Sequence, residues 1–455
     1  MTNRKISTFI ILLCIALFAF YTYHIIAAES SNNKECNQMT ASKQANRESI
    51  KLSLTKANTT YHIKKDYINK DTIFVPANCI LSFEGGSIST PIVFNNTELK
   101  GKVKLQGAKI SGTVTNQVFD ASWLCYGDGV HDDATNINDI IGVCSHIYFP
   151  KGIYFLQALS NHCRSLSKQF IKSVESHIAI NRSDICFTGE DGAILYTETP
   201  VVTMSVYSLP NNIDASISNI TIDNLTFKTN NNTDNELHQY AHSIKVLGVN
   251  GLQITNCQFL NYWGDAISLS HFGDTPQTGE RTRNSNVNIL YNEIDGVSHN
   301  NRNGISVISG KNVIIADNTI NNTSTSKMPG AIDIEANNSA YTVENIHVLH
   351  NRIKGCIGSG GAIGIASQNG APAHNIFIAD NIISNSRIGV GFIIRTEDCV
   401  SNIHVTRNIV EADTEPYHFA GQGTMRGLYF NSNKFRGKSK MPIGGKLNVE
   451  SLIIR

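Results

Sequence analysis

The sequence predicts an all-β chain wound into a parallel β-helix, and three observations lead to that fold. From about residue 222 one phrase keeps returning: an apolar residue, two variable residues, Asn, one variable residue and another apolar one. Its copies centre on Asn292, Asn318, Asn351, Asn381, Asn408 and Asn433, and Leu225 and Cys257 fill the same slot in two earlier copies. Second, the interval between copies drifts between 25 and 35 residues. A rigid helical repeat does not tolerate such drift, whereas short strands joined by corners of variable length do. Third, the Ile, Val and Phe around each Asn alternate with polar residues, the period-two pattern of strands with one buried face.

Stacking explains the Asn. Coils of such a solenoid lie ~4.8 Å apart, so one Asn per coil at a fixed corner builds a column of amides, each donating to its neighbour and to the turn backbone. Leaving one such buried amide unpaired costs on the order of 1–3 kcal/mol. Composition agrees, because 455 residues make one long domain when the chain grows along a single axis. Apolar residues are 41% and charged residues only 16%, so Asn, Ser, Thr and Gly supply the polar surface, as in extracellular β-rich proteins. A formal net charge of +1 with no sustained basic run argues against an electrostatic nucleic-acid binder.

Residues 1–28 open with Arg4 and Lys5 and continue as an apolar run from Ile6 to Ala28. This reads as a signal peptide cleaved after Ile26-Ala27-Ala28, or as an uncleaved signal-anchor, since ~23 residues suffice to span a bilayer. In either case the rest of the chain is expected outside the cytoplasm: secreted, periplasmic or at the cell surface. Residues 29–58 are polar and read as a tether with a short helix near 41–52. The ten cysteines show no Cys-x-x-Cys pair and no Cys/His metal spacing, so they read as interior coil residues, with one or two disulfides open to an exported chain. Residues 59–118 carry strand-like segments punctuated by Gly, read either as small coils or as a separate N-terminal β section. A solenoid end exposes unpaired strand edges, and this section or the next is expected to cover one.

The next section is the most patterned. Phe119-Asp120 leads to Tyr126-Gly127-Asp128-Gly129-Val130-His131-Asp132-Asp133, then to the helical stripe Ile137, Ile140 and Ile141, then to Ile147 through Phe155. Gly127-Asp128-Gly129 makes a tight turn, Asp132 or Asp133 caps a helix starting near 133, and Tyr148 to Phe155 reads as a hairpin-like pair around Pro150-Lys151-Gly152. This ordered set resembles the opening module of the pectate lyase superfamily, in the branch of polygalacturonase-like hydrolases and tailspike depolymerases. The resemblance implies a single-stranded right-handed parallel β-helix over residues 119–455 with an N-terminal capping helix, and a polysaccharide bound along the outside of the coils. It does not extend to the catalytic pattern of those hydrolases. Gly264-Asp265-Ala266-Ile267 carries one Asp where two are expected, no Gly-His-Gly occurs, and Arg352-Ile353-Lys354 falls inside an Asn turn.

Aligning the strands on their aliphatic residues gives Asp265–Ser270, Asn303–Ile308, Gly330–Glu335, Gly361–Ala366 and Ile388–Ile393. With Ile267, Ile305, Ile332 and Ile363 inward, Asp265, Asp333 and Glu335 are expected on one outer face, with His271, Arg302 and Arg395 at nearby strand ends. Gly330, Gly361 and Gly364 leave the adjacent face open. Asp333 and Glu335, two apart on a strand, place their carboxyls ~6–7 Å apart, near the lower end of the ~6.5–9.5 Å that suits inverting glycoside hydrolysis. Close carboxylates raise at least one pKa, as a general acid requires, and Asp265 is the third carboxylate. This chemistry needs no cofactor.

Two other readings use the same residues. Asp333, Glu335 and Asn303 are hard oxygen donors suited to Ca²⁺, and the resemblance implies that a lyase of this fold pairs such a cation with an Arg or Lys that takes the proton alpha to a uronate carboxylate. Arg302 or Arg395 fits that role, Arg or His271 would neutralise the uronate, and no Lys is evident on the next strand. Alternatively the acids are solvated surface and the chain is a non-catalytic glycan-binding or structural protein. A clustered, partly desolvated acid pair in a groove favours an enzyme; a flat face with solvated acids favours the last reading. Trp263 and Tyr262 read as a sugar-stacking platform or as packing beneath the long loop from His271 to Arg283.

Overall fold

A computed structural model describes residues 52–68, 70–160, 174–209, 216–231, 238–272, 283–296, 302–321, 330–397, 399–437 and 448–454. The apolar segment at 6–28, residues 29–51 of the polar tether, and Cys14, Cys36 and Cys163 lie outside the described residues. Ser53–Asp66 and Lys70–Arg455 form one compact unit.

The N-terminal strands Thr60–Ile63, Ile73–Phe74, Ile80–Phe83, Ile92–Gly101 and Ile110–Val114 pair only in parallel. Parallel neighbours close in sequence cannot be hairpins, so these are short coils. The helix Ala134–Val143 follows, burying Ile137, Ile140 and Ile141 as the stripe requires. Asp132 caps it, accepting from the Ala134 N–H at 3.1 Å. Asp133 occupies the N-cap position, but its carboxylate turns back to accept the Tyr126 and Gly127 N–H groups at 2.8 and 2.9 Å, which holds the glycine turn. Buried Asn138 then ties the helix to the first coil, donating to the His177 carbonyl and accepting from the Ala179 N–H.

The expected hairpin at Pro150 is instead a corner. His146–Phe149 pairs in parallel with Ile185–Gly189, whereas Gly152–Phe155 pairs in parallel with Ala193–Thr197. Each strand finds its partner one coil away, and Pro150-Lys151-Gly152 only bends the chain from one face to the next.

Each later coil has three faces. One is built by Ile244–Leu247, Ile267–Leu269, Ile305–Val307, Ile332–Ala336 and Ile363–Ser367, in the register read from the sequence: Ile267 opposite Ile305, Ile332, Ile363 and Val390. The second holds seven-residue strands such as Asn284–Leu290, and the third the short strands after each ladder Asn, such as Thr319–Asn321. Parallel strands joined by crossovers wind right-handed, and the fold is a right-handed parallel β-helix. Stacked Phe227 and Phe259, and Phe392 and Phe419, add to an interior otherwise dominated by Ile and Val.

The amide column is continuous. Nδ2 of Asn292, Asn318, Asn351, Asn381 and Asn408 donates to Oδ1 of the next Asn at 2.9–3.0 Å and to a carbonyl of the preceding coil. Oδ1 of each also accepts the backbone N–H of the residue before it in the column, from Cys257 down to Asn408 on Asn433. This satisfies a corner that would otherwise be strained, because Tyr291, Asp317, His350, Asp380, Arg407 and Ser432, just before each Asn, all have φ between 54 and 59°. That left-handed region costs a non-glycine residue roughly 1–2 kcal/mol. The seven described cysteines form no disulfide.

Candidate active site

Asp333 and Glu335 lie half-buried on the outward side of Ile332–Ala336 and line one cleft together with Gly364, Gln368 and Arg395. Glu335 also lines a second cleft of about 310 Å³ with Gln239, His242, Lys245, Asp265, His271, Arg302, Ser306 and Asn337. Glu335 therefore joins two clefts into one groove running along the stack. Carboxylates occupy its middle, with Lys245 and Arg302 on one side and Arg395 on the other.

Asp265 is not on the open face where the sequence put it. It stands two residues before inward Ile267, shares its parity, and is buried at the corner that opens the strand. There it accepts the Asn303 N–H at 3.0 Å, its own N–H donates to His242 Nδ1 at 3.0 Å, and Arg302 Nε lies 3.8 Å from its carboxylate. His242 is thus neutral at Nδ1, and burial holds its pKa well below the ordinary value.

Asn303 links the two aspartates. Its backbone donates to Asp265, while its side-chain Nδ2 donates to Asp333 Oδ2 and to Ser306 Oγ, each at 3.0 Å. Expected at the groove surface, Asn303 is buried beneath it, because its corner position faces the next coil. Gly364 lies beside Asp333 in register, and a Cβ there would come within 3.3 Å of Asp333 Oδ1. The missing side chain keeps that oxygen accessible.

Electrostatics separate the acids. Burial, then the Glu335 and Asp265 charges, push Asp333 up to about 8, against the opposing pull of Arg302 and the Asn303 amide. Burial raises Asp265 less, to about 6, because Arg302, the Asn303 N–H and the Ser306 hydroxyl favour its charged form. Near neutrality, then, Asp333 holds a proton beside ionised Asp265.

The remaining sequence candidates fall on both sides. His271 lines the Lys245 cleft and stacks on Tyr341 with ring centroids 3.5 Å apart. Arg302 Nη1 donates to Gln239, and exposed Arg395 donates to Gln368. Trp263 and Tyr262 are buried, at 4% and 0% exposure, and present no ring face to a sugar; the bulk of the loop after His271 lies outside the described residues. Arg352 and Lys354 sit on the third face, away from the acids. The sequence reading missed His242 and Lys245. Its alignment began at Asp265, yet His242-Ser243-Ile244-Lys245 falls in the same frame one coil earlier, with Ile244 opposite Ile267 and Lys245 opposite Ser268.

The fold is a right-handed parallel β-helix. Among solved structures, the chain is similar to a family 28 exopolygalacturonase of Yersinia enterocolitica, with 13% identity, 75% of this chain and 79% of that one covered, and a TM-score of 0.46. It is also similar to a surface adhesin of Streptococcus pneumoniae, at 13% identity, 74% and 92% coverage and a TM-score of 0.44. A third is the tailspike of an Acinetobacter baumannii bacteriophage, a capsular polysaccharide depolymerase, at 12% identity, 72% and 65% coverage and a TM-score of 0.42. These are likenesses of fold. No protein-family model and no curated protein matches the chain.

Proposed function

We propose that the protein is an exported glycoside hydrolase that cleaves a polysaccharide lying in the groove. The observation that carries this reading is the placement of Asp333: a half-buried carboxyl clustered with Glu335 in the groove, where burial and the Glu335 and Asp265 charges raise its pKa. Solvated acids on a flat face, as in a protein that only binds or stands off a membrane, would have ordinary pKa values. Asp333 donates its proton to the glycosidic oxygen as the bond to the anomeric carbon breaks. Glu335 takes a proton from a water that attacks that carbon from the opposite side. The products are two shorter chains, with inversion at the new reducing end. Asp265 stays ionised and its charge helps to keep Asp333 protonated.

The residues do not suit the calcium-dependent alternative. Asn303 turns its amide nitrogen, not an oxygen, toward Asp333, so it offers no oxygen donor to a hard cation on that side.

The test is a digest of acidic and neutral polysaccharides, read by reducing ends and by the ultraviolet absorbance of unsaturated uronates. Reducing ends without that absorbance are expected, reduced about 10³-fold or more in Asp333→Asn and Glu335→Gln, on the order of 4 kcal/mol of barrier. Calcium-dependent absorbance would replace hydrolysis by lysis. Reducing ends that persist undiminished in both variants would remove these residues from the chemistry.

A further inference from the structure

Lys245 is not used by the hydrolytic reading. It occupies the same outward row as Asp333, reached through Ser268 and Ser306, one residue per coil. Three coil steps put the two ~14 Å apart along the axis, farther than one sugar ring spans. Its stem is packed into the cleft that runs to Glu335, and burial lowers its pKa to about 8 even though Asp265 lies near enough to oppose the shift. Asp265 is already committed to the Asn303 N–H, the Ser306 hydroxyl and Arg302. Among the described residues the Lys245 ammonium forms no hydrogen bond and no ion pair.

A cation drawn out of water without a counter-charge is unfavourable unless something else supplies one. Among the described residues none is paired with it, and the ammonium lines a cleft. Its lining is also selective: half-buried Arg302 adds a second cation, and Gln239, Asn337 and His271 offer polar groups around it. We propose that the Lys245 end of the groove is an anion subsite, taking a carboxylate or sulfate borne by a glycan residue remote from the one that Asp333 acts on. This rests on the reading of the groove as a glycan site, and it narrows the substrate to chains carrying acidic groups at a distance from the cleaved bond.

Binding, not turnover, tests it. The full chain carrying Asp333→Asn is titrated calorimetrically with an oligogalacturonate, a sulfated oligosaccharide and a neutral cello-oligosaccharide, with and without Lys245→Met. Affinity for at least one acidic ligand should fall about 10-fold or more on removal of the ammonium, survive in Lys245→Arg, and weaken with salt. Neutral binding should not change. The acidic ligand that responds distinguishes carboxylate from sulfate. Equal losses for acidic and neutral ligands would reduce Lys245 to a packing residue and overturn the proposal. Where no oligosaccharide of the panel binds, free sulfate decides: its titration should move the Lys245 Cε resonance and raise the lysine's pKa, and a resonance unmoved at saturating sulfate would sink the subsite. The two readings fail separately. Acidic chains bound through Lys245 but never cut would end the hydrolase reading and leave the subsite; neutral chains cut with no dependence on Lys245 would do the reverse.

Discussion

The molecule stacks polar side chains in two columns, and they behave in opposite ways. At the Asn corner each of the interior amides has both a donor and an acceptor matched on neighbouring coils. In the groove, like charges are brought together instead: Asp333 and Glu335 share one strand with Asp265 two coils away, the Glu335 charge raising the tendency of both aspartates to hold a proton, and Lys245 stands without a partner among the described residues. One repeat geometry therefore serves two ends. Saturation of the column stabilises the stack, while incomplete matching in the groove leaves groups whose protons and charges are available to a ligand. Breaking a member of each column should give opposite signs.

The largest effect is expected in the saturated column. Asn351→Leu leaves the Asn318 Nδ2 and backbone N–H without their acceptor, and Asn381 Oδ1 and the Ile315 carbonyl without the Asn351 amide as donor, and should destabilise the fold by roughly 2–4 kcal/mol, read from chemical denaturation. Loss below ~0.5 kcal/mol would mean that the column is passive. In the groove, Asp333→Asn should instead stabilise, by roughly 1–2 kcal/mol. The sign follows from linkage. Asp333 titrates from the ordinary 3.8 when unfolded to about 8 when folded, so the native state holds the extra proton between those values. Wild-type stability therefore falls as pH rises from about 4 to about 8, and the variant loses that dependence. The gap between them should widen across this window; a gap independent of pH would show that the carboxyl titrates normally.

The fold was legible because its signals are local and repeated. Alternating aliphatic residues fix strand register, since a one-residue slip would turn every side chain over, and the alignment through Ile267, Ile305, Ile332 and Ile363 holds residue for residue. The ladder Asn announces its corner, whereas the left-handed residue before it is Tyr, Asp, His, Arg or Ser and announces nothing. Pro150-Lys151-Gly152 suits a hairpin and a corner equally, so only long-range pairing separates them. At the site, Asp333 and Glu335 were legible as acids interrupting a face of Ser, Gly and Ala. Their protonation was not, because it depends on burial and on charges contributed by other coils. Asp265 was misplaced because it shares the parity of inward Ile267, and of the two readings of Trp263 the buried one holds, since what covers a corner is decided by residues far away in sequence.

The finest difference between the columns rests on Asn303, a buried amide like those of the ladder but set against a carboxyl. Its Nδ2 donates to Asp333 Oδ2, which favours the charged form and so restrains the rise in that pKa. It also leaves Oδ1, the oxygen opposite Gly364, as the one free to carry the proton toward a substrate. Asn303→Ala should therefore raise the Asp333 midpoint by about one unit, the worth of one hydrogen bond to a charged group. Carboxyl NMR or the infrared carbonyl stretch reads that shift without any substrate, and the alkaline limb of the hydrolytic pH profile should move upward with it. If Asn303 only fills space, stability drops and the midpoint stays where it was; a rising midpoint makes it the residue that sets which oxygen of the acid does the donating.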